Sequence, residues 1–204
     1  MLSLISGCVF LGNIMDNKEP RLPAGQRLTE DWPILHYGSI PNINLDEWVF
    51  NINGLVEEPL SFTWKDFMDM PQTKVTSDIH CVTTWSKYDN EWEGVLLKDI
   101  FKLIQPLNQA KHVMFHSYGG YTTNVPIDDL MFDNVLIAHS HNGAPLAPEH
   151  GAPARGVVPH LYFWKSAKWV NGMEFISDEI PGFWENYGYH IYGDPWKEER
   201  YSSF

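Results

Sequence analysis

The chain has 204 residues and a formal net charge of −12; 44% of it is hydrophobic, 20% charged and 14% aromatic, a globular composition. Such a length supports one sizeable core, and the charge excludes nucleic acid and anionic membranes as general partners. Two cysteines, Cys8 and Cys81, exclude a disulfide framework, and no run reaches the roughly 18 apolar residues of a membrane-spanning helix.

Residues 1–20 read as a flexible arm and residues 21–204 as a single folded domain. Ile5-Ser6-Gly7-Cys8 resembles a lipoprotein cleavage box, but it lacks a basic segment before it and a long enough apolar stretch. No twin-arginine pair precedes it, so the expected compartment is the cytoplasm. Pro33 to Gly38 is a loop in which His36 and Tyr37, beside a glycine, either approach a ligand closely or form a polar surface turn. Glu47 to Gly54 sets Trp48, Phe50 and Ile52 against Val49, Asn51 and Asn53, the alternation of a half-buried strand, closed by an Asn53-Gly54 turn. Phe62 to Met68 is a short helix with Thr63 as N-cap.

Val75, Ser77 and Ile79 alternate into a strand that ends at Cys81. Trp92-Glu93-Gly94 reads as a turn, and Leu96 to Ile104 as a helix stopped by Pro106. His112 to Ser117 is a strand leading into a Gly119-Gly120 turn, Pro126 to Met131 a short helix, and Asn134 to His139 a buried strand followed by an Asn142-Gly143 hairpin turn. Gly156 to Pro159 and Lys168 to Ile176 are further strands, and from Pro181 the chain is aromatic and irregular. Short strands outnumber short helices, so the class is α+β, mixed and mainly β.

Four features carry chemistry. A thiol such as Cys81 is a small buried hydrophobe, a nucleophile or a soft metal ligand, and the residue alone leaves all three open. His150-Gly151-Ala152-Pro153-Ala154-Arg155 ends in a cation on a backbone held by Gly and Pro. Lys165-Ser166-Ala167-Lys168 packs two lysines and a hydroxyl into a chain with only 14 Lys and Arg. With Arg155 it either grips a phosphate or forms an ordinary solvated basic patch. His139 and His141 on one strand would point to the same face, a weak match to a zinc pair. No G-x-S-x-G, G-x-G-x-x-G or Walker sequence is present.

A lone cysteine after a strand, then G-A-P-x-R, then K-S-x-K-W, in that order, resembles the sulfite oxidase family of molybdopterin enzymes. The chain is most similar to its small single-domain bacterial members and to the methionine sulfoxide reductase catalytic subunit. The resemblance implies the family's catalytic-domain fold and molybdenum–molybdopterin as cofactor. It puts Cys81 where the family ligates molybdenum and Tyr121 where a tyrosine faces the substrate. It puts His36, Tyr37, Ser117, His150, Arg155, Ser166, Ala167 and Lys168 where the family holds the pterin and its phosphate. It implies a small-molecule substrate, an electron-transfer partner, no stable membrane insertion and a monomer.

Sulfite oxidases follow their cysteine with a Gly-Asn-Arg type of segment, whereas this chain has Val82-Thr83-Thr84-Trp85-Ser86. The expectation is therefore an S- or N-oxide reductase, with a sulfite-type oxidase as the alternative. A cofactor-free interaction module is the rival from outside enzymology.

Overall fold

The computed structural model describes residues 21–202; the arm expected over residues 1–20, with Cys8, lies outside them. The strands are β1 (Arg27–Leu28), β2 (Val49–Gly54), β3 (Leu60–Thr63), β4 (Thr73–His80), β5 (Trp85–Leu96), β6 (His112–Ser117), β7 (Thr122–Pro126), β8 (Leu136–His141), β9 (Ala144–Pro145), β10 (Arg155–Val157) and β11 (Val170–Ile176). Four short helices join them: α1 (Trp64–Asp69), α2 (Leu97–Phe101), α3 (Ile127–Leu130) and α4 (Phe183–Asn186). One sheet runs β1-β5-β8-β10, with β4 also paired to β5 and β9 to β8; the other runs β3-β2-β11-β6-β7. No helix among the described residues is long and apolar enough to cross a membrane.

The alternation in β2 does what its pattern requires. Trp48, Phe50 and Ile52 are at most 1% exposed and pack with Phe115 and Phe175 into one core. Trp85, Trp92, Tyr162 and Trp164 pack into a second core with residues of β4, β5, β8 and β10. Thr63 caps α1 through a reciprocal capping box with Asp66. Asn142 and Gly143 both take positive φ, 49° and 77°, as a tight two-residue hairpin demands.

Three expectations are corrected. Trp92-Glu93-Gly94 is not a turn but the middle of β5, the longest strand at 12 residues. Gly94 is there because β8 crosses it closely: a Cβ would lie 2.0 Å from the Ile137 carbonyl oxygen. Gly94→Ala therefore forces β5 and β8 apart, with an expected loss of about 1–3 kcal/mol of stability in urea unfolding.

The helix after Leu96 stops at Phe101 rather than running to Ile104. An antiparallel bridge between Val56 and Pro106 and a hydrogen bond from Leu107 N–H to the Leu55 carbonyl commit the chain to an extended crossing.

His139 and His141 do not share a face. Glu93 pairs with Ser140 and Gly94 with Ala138, so His139 is the extra residue of a β-bulge. Its ring lies 6.5 Å from Trp64 and from Phe67, while His141 lies 4.6 Å from Trp92 against the other core. No group of three or more His, Cys, Asp or Glu side chains converges on a metal site among the described residues.

Candidate active site

Cys81 occupies a tight turn between β4 and β5. Its N–H donates to the Trp85 carbonyl at 2.8 Å, Thr84 N–H donates back to the Cys81 carbonyl at 3.0 Å, and Thr84 takes a φ of 72°. Gln26 Nε2 donates to the Cys81 carbonyl at 3.0 Å and Arg200 Nη1 to the Val82 carbonyl at 2.8 Å, bracing the turn from the chain's two ends. The thiol lies 3.1 Å from Thr83 Oγ1. Burial pushes its pKa up, against the weaker pull of that contact, so the protein by itself keeps it a thiol. That environment is the reverse of an activated nucleophile's.

The sulfur opens onto a cavity of about 340 Å³. His36, Tyr37, Tyr121, His150, Arg155, Ser166, Ala167 and Lys168 line it with Cys81. Four stretches that are far apart in sequence thus meet: the loop 32–37, the turn after β4, the Gly151 loop running into β10, and residues 163–169. Gly151, at φ +113°, lets two of them touch, because a Cβ there would lie 3.1 Å from both Arg155 Cβ and Lys168 Cβ.

Electrostatically the cavity is a trap for an anion. The Arg155 guanidinium is 2% exposed, lies 4.2 Å over the Phe163 ring, and donates to the carbonyls of His150 and Ser166, both at 2.8 Å. Lys168 Nζ donates to the carbonyls of Leu35 at 2.6 Å and Glu149 at 2.7 Å. Neither cation pairs with a carboxylate among the described residues. Burial lowers Arg155 to about 9; burial and then the Arg155 charge lower Lys168 to about 7 and His150 to about 4. Buried positive charge without a counter-ion is unfavourable until an anion supplies one.

Tyr121 donates its phenolic proton to the Trp164 carbonyl at 2.6 Å, and burial pushes its pKa well above the usual phenol value. Its proton stays on oxygen at any ordinary pH.

The structure sets two residues apart from the others. Ser117 is not among the residues that line the cavity. It ends β6, where its N–H donates to the Tyr121 carbonyl, and its buried hydroxyl has no hydrogen-bond partner. Lys165 turns the opposite way from Lys168, into a buried ion pair with Glu185 at 2.6 Å. Ser166 does border the cavity, but its N–H is spent on the Phe163 carbonyl at 3.2 Å and its hydroxyl oxygen accepts from Val158 N–H at 2.9 Å.

Composition pointed to a ring-lined site but not to most of the rings that form it. Trp32 stacks on His150 at 3.8 Å, and Trp85, Phe163, Trp164 and Trp169 complete the lining beside Trp184 and Tyr189. Nine tryptophans and nine tyrosines were the cue, and these rings are scattered over loops, a 3-10 turn, the start of β5 and the short α4, too dispersed for periodicity to mark them.

The sequence model of the oxidoreductase molybdopterin binding domain matches residues 37–184. The chain belongs to this family. It is a molybdopterin oxidoreductase, and its cofactor is molybdenum–molybdopterin. It is similar to the uncharacterized oxidoreductase YuiH of Bacillus subtilis, with 45% identity over 89% of this chain and 92% of that one. Identity to the protein-methionine-sulfoxide reductase catalytic subunit MsrP of Campylobacter jejuni is 28% over 74% of this chain, which spans only 57% of that protein. The sulfane dehydrogenase SoxCD of Paracoccus pantotrophus has a similar fold, with a TM-score of 0.64 and 25% identity over 70% of this chain and 41% of that one. These relatives bear out the sulfite oxidase family resemblance and its mixed fold.

The cavity suits the molybdopterin cofactor on its own chemistry. Among the described residues it offers a buried guanidinium and a half-buried ammonium without a carboxylate partner, a soft thiol donor and walls of stacked rings.

Proposed function

We propose that this molybdopterin oxidoreductase reduces a small, neutral S- or N-oxide with electrons from a separate electron-transfer partner. One observation carries the reading: Arg155 and Lys168 are the only Lys or Arg side chains lining the cavity among the described residues. If both serve the cofactor phosphate, none is left to neutralise a sulfite-like dianion, which needs such groups. What remains for the substrate is ring surface and hydroxyls.

Within this proposal Cys81 is the metal's protein ligand, and the cofactor supplies oxygen-atom exchange coupled to two-electron transfer. Arg155 and Lys168 bind the phosphate, with His150 and the stacked Trp32 along the pterin and Ser166 offering its remaining hydroxyl hydrogen. His36, Tyr37 and Ala167 contribute cavity wall. Tyr121 is the group that hydrogen-bonds the departing oxygen once its O–H turns from the Trp164 carbonyl: reduction of a sulfoxide consumes two protons and releases water, and a phenol kept protonated by burial always has a hydrogen to offer that oxygen.

The test compares reduction of dimethyl sulfoxide, methionine sulfoxide and trimethylamine N-oxide by a dye donor with oxidation of sulfite by ferricyanide. Sulfoxide or N-oxide turnover is the expected result; sulfite oxidation alone overturns the reading. Tyr121→Phe is expected to slow the reduction by about 10²–10⁴-fold, with molybdenum content unchanged by metal analysis. A monomer folded as one domain over residues 21–204 and resident in the cytoplasm belongs to the same proposal, checked by sedimentation and by fractionation of cells making the native chain.

A further inference from the structure

The cavity uses Lys168 and leaves Lys165 out. Lys165 and Glu185 have side chains only 1% exposed and pair at 2.6 Å behind the aromatic wall. The ammonium also donates to Asn124 Oδ1 at 2.8 Å and to the Asn124 carbonyl at 2.9 Å. Glu185 Oε1 accepts from Trp164 Nε1 and from Thr123 Oγ1, both at 3.0 Å. Trp164 and Tyr121 line the cavity, and Trp164 is the residue whose carbonyl takes the Tyr121 proton. Glu185 therefore grips the indole of the residue that grips the phenol.

The choice of residues is specific to that task. All three donors converge on Oε1, a crowding that the negative charge of a carboxylate favours over a neutral amide oxygen, because hydrogen bonds to an ionised acceptor are the stronger ones. A buried carboxylate needs a counter-charge, which Lys165 supplies. The pair is neutral as a whole, and after burial the nearby Glu185 charge is what helps keep the Tyr121 proton on oxygen. Gly182 makes room for it: a Cβ there would lie 2.8 Å from Glu185 Oε2 and 2.6 Å from Thr123 Cα.

We propose that Glu185, paired with Lys165, is a positioning residue for the reaction: it holds Trp164 and, through Trp164, sets the Tyr121 phenol at the substrate. This rests on the role given to Tyr121 above. Misplacing a reacting group by about an ångström costs about 10²-fold. Glu185→Gln is thus expected to lower kcat by about that factor, with KM and molybdenum content unchanged.

The experiment is a double-mutant cycle on the holoenzymes of wild type, Glu185→Gln, Tyr121→Phe and the double variant. It is read on whichever reaction the enzyme turns over, so failure of the reductase reading leaves it intact. In the Tyr121→Phe background, Glu185→Gln is expected to cost less than about twofold, because the residue it positions is already gone.

Ultraviolet resonance Raman spectra supply a second readout. One indole N–H band, identified by its loss in Trp164→Phe, moves to a weaker hydrogen bond in Glu185→Gln, with or without cofactor. Should Glu185→Gln not fold, Lys165→Met/Glu185→Gln removes both charges together and enters the same cycle. Additive losses, full kcat in either single variant, or an unmoved indole band overturns the proposal.

Discussion

Cys81→Ser is expected to reduce turnover to the background of cofactor-free protein. A serine oxygen is a harder donor than sulfur and gives up its proton far less readily, so it cannot replace a thiolate on a soft metal site. The structure makes the test clean. Cys81 is 7% exposed in a turn held by backbone hydrogen bonds, with Gln26 and Arg200 bracing its carbonyls. None of these contacts involves the sulfur, and the exchange is nearly isosteric, so stability should change by no more than about 1.5 kcal/mol. The Mo(V) resonance signal of any metal still bound should change. Unchanged turnover in the variant would remove Cys81 from the site altogether and return it to the status of a small buried hydrophobe.

Arg155→Ala and Lys168→Ala are expected to lower cofactor content, together and less than additively. Each loses a charge-assisted bond to a buried phosphate, about 1.5–3 kcal/mol, or roughly 10- to 150-fold in affinity. Both side chains line one cavity, so under the proposed assignment they share one anion, and removing the first should weaken what the second holds. Full molybdopterin loading of the double variant, measured by pterin fluorescence after release, would contradict the assignment.

Lys168 adds a pH dependence. Burial lowers it to about 7, so its charge is complete below that pH and lost above it. The affinity of the cofactor-free protein for inorganic sulfate, whose own charge does not change in this range, should fall as pH rises through about 7. Lys168→Met should flatten that profile; a profile that stays unchanged in the variant would show that another group titrates.

Much of the site was legible because it is written in short contiguous pieces. A strand ending at Cys81, a glycine-rich approach to Arg155 and a basic stretch ending at Lys168 each carry local signals of backbone and charge. Those signals do not say which way a side chain turns. Lys165 and Lys168 are both lysines in one basic stretch, yet one closes a buried ion pair with Glu185 and the other faces the cavity. Between them the backbone leaves a tight turn at Ser166, with φ −91° and ψ 74°, a change of direction with no signature in residue type. Ser117 shows the same limit: a hydroxyl beside a glycine turn has the right composition for a ligand contact, but residue type does not say whether its strand brings it to the cavity wall, and it is not among the lining residues.

By itself the sequence determined the mixed, mainly β class, most strand positions, the helix cap at Thr63 and the cluster of basic residues that an acidic chain concentrates in one stretch. These follow from nearest-neighbour chemistry: alternation, capping, turn residues and charge. Only the tertiary structure decided the long β5 through Gly94, the bulge that separates His139 from His141, the aromatic walls, and the division of labour between the two lysines. Each of these depends on what another segment, tens of residues away, brings into contact: the carbonyl of Ile137 over Gly94, the rings of Trp32 and Trp92 around Arg155, the carboxylate of Glu185 against Lys165.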